Sequence, residues 1–103
     1  MEKKKAVERA NFKKIIKMLQ LFKKDIRESG CADARCVLFG SWAKGKQTRD
    51  SDIDVCVISK NIKDRYDDRV KMAMIGNKYN VLIEPVAMLP QDLEDRYYTL
   101  ASG

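Results

Sequence analysis

The 103-residue chain contains no histidine. A Ser-His-Asp triad, and any other mechanism that needs an imidazole as general base, is thereby excluded. Cysteine is sparse: Cys31, Cys36 and Cys56 form no CxxC pair, and any pairing among them leaves an odd thiol. That usage predicts reduced thiols and a cytoplasmic setting rather than a disulfide framework, and it offers no zinc knuckle. Long apolar runs are missing too. None approaches the roughly 20 residues that cross a bilayer, and the charged lead MEKKKAVERAN has no apolar stretch of the secretory kind. No membrane association is expected. Internal repeats, low-complexity tracts and linkers are likewise absent, so residues 1–103 are expected to form a single domain around one modest core.

Positive charge is present but unevenly placed. Residues 1–30 hold ten Lys/Arg and four Asp/Glu, which carries the whole net charge of +6, while the remainder holds eleven of each. The simplest reading is a solvated helix face behind a lysine-rich lead. A surface for an acidic partner or nucleic acid is the sharper alternative. No aromatic residues interleave the lysines as a base-stacking platform requires, so nucleic acid is not the expected partner. Self-association is left open by the sequence.

Periodicity organises the rest. From about Lys5 to Glu28, apolar residues fall at Phe12, Ile15, Ile16, Leu19, Phe22 and Ile26, one face of a helix, with Met18 and Leu21 off the stripe and Gly30 as its stop. Ala34 to Gly40 reads as a buried strand. Asp52 to Ile58 alternates, with Ile53, Val55 and Val57 on one face and Asp52, Asp54 and Cys56 on the other. A second helix is expected from residue 64 to about 78, its first turn favoured by Asp64, Asp67 and Asp68 and its inward face supplied by Tyr66, Val70, Ala73 and Met74. Tyr79 to Leu89 reads as a third strand carrying a lone acid, Glu84, with Pro85 marking an edge or an early end to its ladder. Pro90 then opens a short helix that would dock through Leu93, Tyr97 and Leu100. The order predicts a small α/β sheet with helices packed on one side.

One stretch carries chemistry: FGSWAKGKQTRDSDIDVCVIS, residues 39 to 59. Residues i and i+2 of a strand point the same way, so the carboxylates of Asp52 and Asp54 sit side by side. Unpaired, they would repel and one would resist ionising. A divalent cation removes that penalty, and Mg²⁺ suits a site of one or two carboxylates plus substrate phosphates. Two acids that merely keep a sheet edge soluble are the plainer alternative. Upstream, Gly40 closes a strand and Ser41 begins a turn, where exposed N–H groups and a hydroxyl can hold phosphate oxygens with Lys44 and Lys46 adding charge. Glu84 is the natural third acid if the third strand pairs beside the second, and an edge-strand glutamate reaching water is the equally open alternative.

GSWAKGKQTRDSDIDVCV resembles the GS-x(11)-D-x-D signature of the DNA polymerase β-like nucleotidyltransferase superfamily, and most of all its stand-alone minimal nucleotidyltransferase (MNT) branch. The resemblance covers nearly the whole chain. It implies a mixed sheet with flanking helices (an α+β arrangement) and transfer of a nucleoside monophosphate from an NTP, ATP in the first instance, with release of pyrophosphate. Gly40, Ser41 and Lys44 would bind the triphosphate. Asp52 and Asp54 would ligate two magnesium ions, and Glu84 would be the third carboxylate, serving the catalytic metal and the attacking hydroxyl. Two positions depart from the pattern: the third carboxylate is often Asp, and Trp42 stands where many relatives carry a basic residue. Trp42 is expected to pack on the short helical turn, with a place beside the nucleotide as the alternative. Larger members add a helical domain, so this chain is expected to draw base and acceptor contacts from elsewhere. The resemblance suggests a separately encoded helical HEPN protein that the MNT chain adenylylates as an antitoxin. Two alternatives stand beside it: the catalytic subunit of a two-chain enzyme that nucleotidylates a small molecule, and a non-catalytic protein that neutralises its partner by binding.

Overall fold

The computed structural model describes the backbone at residues 2–47 and 51–92 and the side chains at 11–47 and 51–92. In chain order the elements are α1 (Glu2–Glu28), β1 (Arg35–Phe39), β2 (Ile53–Ile58), α2 (Arg65–Asn77) and β3 (Ile83–Met88). The strands form one mixed sheet in the order β1-β2-β3, with β1 antiparallel and β3 parallel to β2. This is the small sheet with helices on one side that the element order predicted, in the mixed α+β arrangement that the resemblance implied. The expected helix after Pro90 begins at Pro90–Asp92, while Leu93, Tyr97 and Leu100 lie outside the described residues.

β2 is central, and its composition explains why: Ile53, Val55 and Val57 face the helices, and Cys56 and Ile58 on the reverse face are buried as well. Leu19, Phe22 and Ile26 of α1 meet Ile53, Val55 and Val57 of β2, Ile83 and Ala87 of β3 and Met72 of α2 in a single apolar cluster. Both helices therefore cover the same side of the sheet. The α1 stripe engages the core only from Ile15 onward, and Phe12 is exposed. Met18 does pack against the core from off the stripe, while Leu21 is exposed. Past Glu28 the chain breaks off at Gly30, whose φ of 128° lies where side-chain-bearing residues are strained. Arg27 Nε donates to Ala34 O at 2.9 Å and so fixes the start of β1 to the end of α1.

α2 begins as its acids require. Asp64 is the N-cap and its carboxylate accepts from Asp67 N, while Asp67 and Asp68 sit against the positive end of the helix dipole. Its inward face differs from the expected one. Tyr66 is 75% exposed, Val70 42% and Met74 66%, and the residues that meet the sheet are Met72, Ile75 and Gly76. Gly76 decides the rotation: a Cβ there would lie 2.9 Å from Ile83 Cγ2 and 3.4 Å from Phe22 Cε2. The helix is pressed against β3 and α1 at its one residue without a side chain, and the apolar stripe is turned outward.

The strand of Ala34 to Gly40 is also less buried than its sequence suggests. β1 is an edge strand with Arg35, Val37 and Phe39 exposed on the face away from the helices. The third strand starts at Ile83 because Tyr79 and Asn80 still bond back to Gly76 O, each at 2.9 Å, and finish the helix. Pro85 does lie on an edge strand, but it does not shorten the ladder, which runs to Ile58↔Met88. Ile53 N bonds to Leu82 O and Ser59 N to Met88 O, so the even-numbered residues of β3 turn their backbone groups to β2. The missing N–H of Pro85 therefore points away from the ladder.

Two polar clasps hold the loops. Asp33 accepts from Ser59 Oγ at 2.5 Å, Lys60 N at 2.8 Å and Asn61 Nδ2 at 2.8 Å, joining the turn after α1 to the turn after β2. These donors, Ser59 first, hold its carboxyl down at about 2. Tyr79 donates its phenolic proton to Asp25, which ties the end of α2 to α1 and raises the phenol above its ordinary value. Cys31, Cys36 and Cys56 form no disulfide, and burial pushes the Cys36 thiol up to about 11 against the opposing charges of Lys23 and Arg27. Among the described residues, no helix is long and apolar enough to cross a membrane.

Candidate active site

The parity of β2 sends the carboxylate of Asp54 to the face of the sheet that the helices leave open, and Asp52, one residue before the strand, has the same parity. β3 brings Glu84 to that face directly beside them, because Asp54↔Glu84 is a register pair of the parallel ladder. On the other flank Phe39 is the register partner of Asp54. The row across the sheet is thus Phe39, Asp54, Glu84. Glu84 is exposed and Asp54 is half-buried, so Asp54 is the acid most enclosed by protein. Among the described residues no three carboxylates converge closely enough to hold one ion between them. Only the Asp54–Glu84 adjacency is set by pairing in the sheet.

Gly40 sits over the second aspartate. Its φ of 72° is a left-handed conformation, and a Cβ placed on it would overlap Asp54 Oδ2 and lie 3.2 Å from Asp54 Cγ. Two independent constraints therefore demand glycine here, one of backbone and one of space. The chain then coils tightly: Lys44 N bonds to Gly40 O at 3.2 Å, Gly45 N to Trp42 O at 3.4 Å and Lys46 N to Ser41 O at 2.9 Å, and Gly45 takes φ 68°. The expected short helical turn is present as this hydrogen-bonded turn, and it does not extend into a helix. Its later N–H groups point back along the chain, whereas those of Ser41, Trp42 and Ala43 are left out of that bonding among the described residues. N–H groups left over at the start of such a turn can donate to a phosphate oxygen. Lys44 and Lys46 are exposed on the same turn.

Trp42 does pack, but against the apolar core and not only on its own turn, and so anchors the turn to the body. Among the described residues its Nε1 is buried without a hydrogen-bond partner, and so is Gln47 Oε1 a few residues on. A buried unpaired polar atom costs on the order of 1–3 kcal/mol, so two of them beside one turn mark a segment that is not fully satisfied as it stands. Sequence reading did not bring Phe39 into the site. Its place depends on strand pairing, and only the antiparallel register of β1 with β2 reveals it.

The donor set is all oxygen, on one open face, with a glycine-bearing turn one van der Waals contact away. Those residues fit a divalent cation bridged to phosphate, since hard cations take carboxylates and phosphate oxygens together. A scan of known families agrees. The nucleotidyltransferase domain family matches residues 15–95, and the chain belongs to that family, as a minimal nucleotidyltransferase domain. Members of the family use a nucleoside triphosphate and a divalent metal.

Two curated proteins of Methanocaldococcus jannaschii are similar to it. One, named "Putative protein adenylyltransferase MJ1305", is 37% identical over 62 residues, 55% of this chain and 42% of that protein. The other, named "Putative protein adenylyltransferase MJ0141", is 35% identical over 78 residues, 70% of this chain and 77% of that protein. The match thus spans less than half the length of the first relative and about three quarters of the second. No solved structure matches the chain.

Proposed function

We propose that this domain transfers AMP from ATP, with magnesium, to a hydroxyl group on a partner protein. The acceptor we favour is a tyrosine of a separately encoded helical HEPN-type protein, with the modification acting as an antitoxin. The observation that carries the reading is the close approach of Gly40 to Asp54 beside the Asp54↔Glu84 pair, which supports a phosphate-holding role for the turn that follows. The names of both relatives support protein as the acceptor class.

In this reading the N–H groups of Ser41 to Ala43 and the Ser41 hydroxyl hold the β- and γ-phosphates, with Lys44 offsetting their charge. Asp52 and Asp54 would hold the cation, with two ions as the expected number. Magnesium, when bound, neutralises the carboxylates and acidifies the attacking hydroxyl. The acceptor oxygen forms its bond to the α-phosphorus as the bond from that phosphorus to the bridging oxygen breaks, and pyrophosphate leaves. Glu84, at the exposed end of the row, orients the acceptor and takes its proton. No imidazole is needed, which accords with a chain that has none.

The test is incubation of the protein with ATP labelled at the α-phosphate and magnesium, with and without the product of the neighbouring gene. Label on a tyrosine of that product supports the reading. Label on a small molecule would instead make the chain one subunit of a small-molecule nucleotidyltransferase, and complex formation without label would make it a neutraliser by binding.

A further inference from the structure

On the helix side of the sheet, away from the carboxylates, a cavity of about 510 Å³ opens between α2, the turn after α1 and the segment that leads into α2. Its floor is apolar, with Cys31 and Met72 buried and Ile75 packed on the core. Three lysines line it: Lys63 ahead of the helix, Lys71 on α2 and Lys78 at its C-cap. The neutral polar groups beside them are already engaged. Ser29 Oγ donates to Ile26 O at 2.8 Å, and Asn61 Nδ2 donates to Asp33 at 2.8 Å. The one acid in the lining, Asp68, accepts from Lys63 N at 2.9 Å and Asp64 N at 3.3 Å, so its carboxylate is held to the backbone of the helix start. Among the described residues none of the three lysines is in a salt bridge, the one ion pair there being Arg65–Asp92.

Three lysines and one aspartate border this apolar hollow, so an entering anion meets a net positive rim. The volume falls within the range of small-ligand sites. From these facts we infer that the cavity binds a small organic anion, a phosphomonoester on a flat apolar body, with the ring on Met72 and Ile75 and the phosphate among Lys63, Lys71 and Lys78. The site is separate from the carboxylate face and does not depend on the transfer reaction proposed above.

Phenyl phosphate is the probe, with inorganic phosphate and phenol as its two halves, titrated into the ¹⁵N-labelled full chain without magnesium. Saturable shifts are expected at Gly30, Cys31, Met72 and Ile75. Phenyl phosphate should bind about tenfold or more tighter than inorganic phosphate because it buries a ring, and phenol alone should bind more weakly than either. Lys71→Ala with Lys78→Ala should cost about tenfold or more in affinity at an unchanged melting temperature, and Asp54→Asn should leave binding intact. The inference is overturned by shifts scattered over the lysines of α1, by equal affinity for phosphate and phenyl phosphate, or by no saturable shift at millimolar probe. Shifts confined to Gly40 and Ser41 would overturn it as well, while supporting the phosphate-holding turn.

Discussion

Glu84 stands directly opposite Asp54 in the parallel ladder of β3 and β2, so a residue 30 positions later in the chain shares the open face with the DID acids. Their neighbourhood is fixed by backbone hydrogen bonding and does not rely on any side-chain contact between them. Asp54→Asn removes one carboxylate while preserving shape. Transfer should fall on the order of 10²–10³-fold or more, with the metal-free melting temperature unchanged or slightly raised. Label-transfer assays and thermal melts read the two effects separately, and turnover at the wild-type level would remove Asp54 from the chemistry.

Gly40→Ala meets both a left-handed backbone and the side chain of Asp54. We expect a loss of about 1–3 kcal/mol by denaturant unfolding and an activity loss larger than the remaining folded fraction accounts for. Gly45→Ala is the control: φ is 68° but nothing lies within 4 Å of its Cβ, so only the backbone cost of about 1 kcal/mol applies.

Gly76→Ala opposes two known effects. Alanine favours the helix interior by about 1 kcal/mol over glycine, yet its Cβ would come within 2.9 Å of Ile83 Cγ2 and 3.3 Å of Ile83 Cβ. Ile83 is buried and β-branched, so it has little room to turn, and overpacking of this kind costs about 1–3 kcal/mol. The variant should be destabilised overall, and a raised melting temperature would show that α2 is free to lift.

Asp33 gives the acid limb of stability. Its carboxyl titrates at about 2 in the folded chain against an ordinary 3.8, so the charged form is the one the fold favours. Its contribution is fully present above the ordinary value and is lost as pH falls from about 4 through about 2. Asp33→Asn should lower stability at neutral pH and flatten the pH dependence in that window, as chemical denaturation at a series of pH values would reveal.

Much of this could be read in the sequence, and the failures share a cause. The DID alternation, the strand ending at Gly40 and the acids that start α2 are local signals, and each appears where the sequence put it. The orientation of α2 is not local. A hydrophobic stripe of Tyr66, Val70 and Met74 looks like the inward face, but close approach at Gly76 outweighs it, and glycine carries no signal in a count of apolar side chains. β1 misled in the same way: VLF reads as buried whether one face is covered or two, and only the pairing shows that Val37 and Phe39 lie on the uncovered side. Phe39 beside Asp54 could not be seen at all without the register.

Pro85 has a bearing on assembly. An incoming strand laid along the outer margin of β3 would find one rung of donors missing midway, so annealing there cannot produce an unbroken ladder. Among the described residues, association of copies through side-chain surfaces or along β1 is therefore favoured over that margin, where growth of a continuous sheet meets a gap.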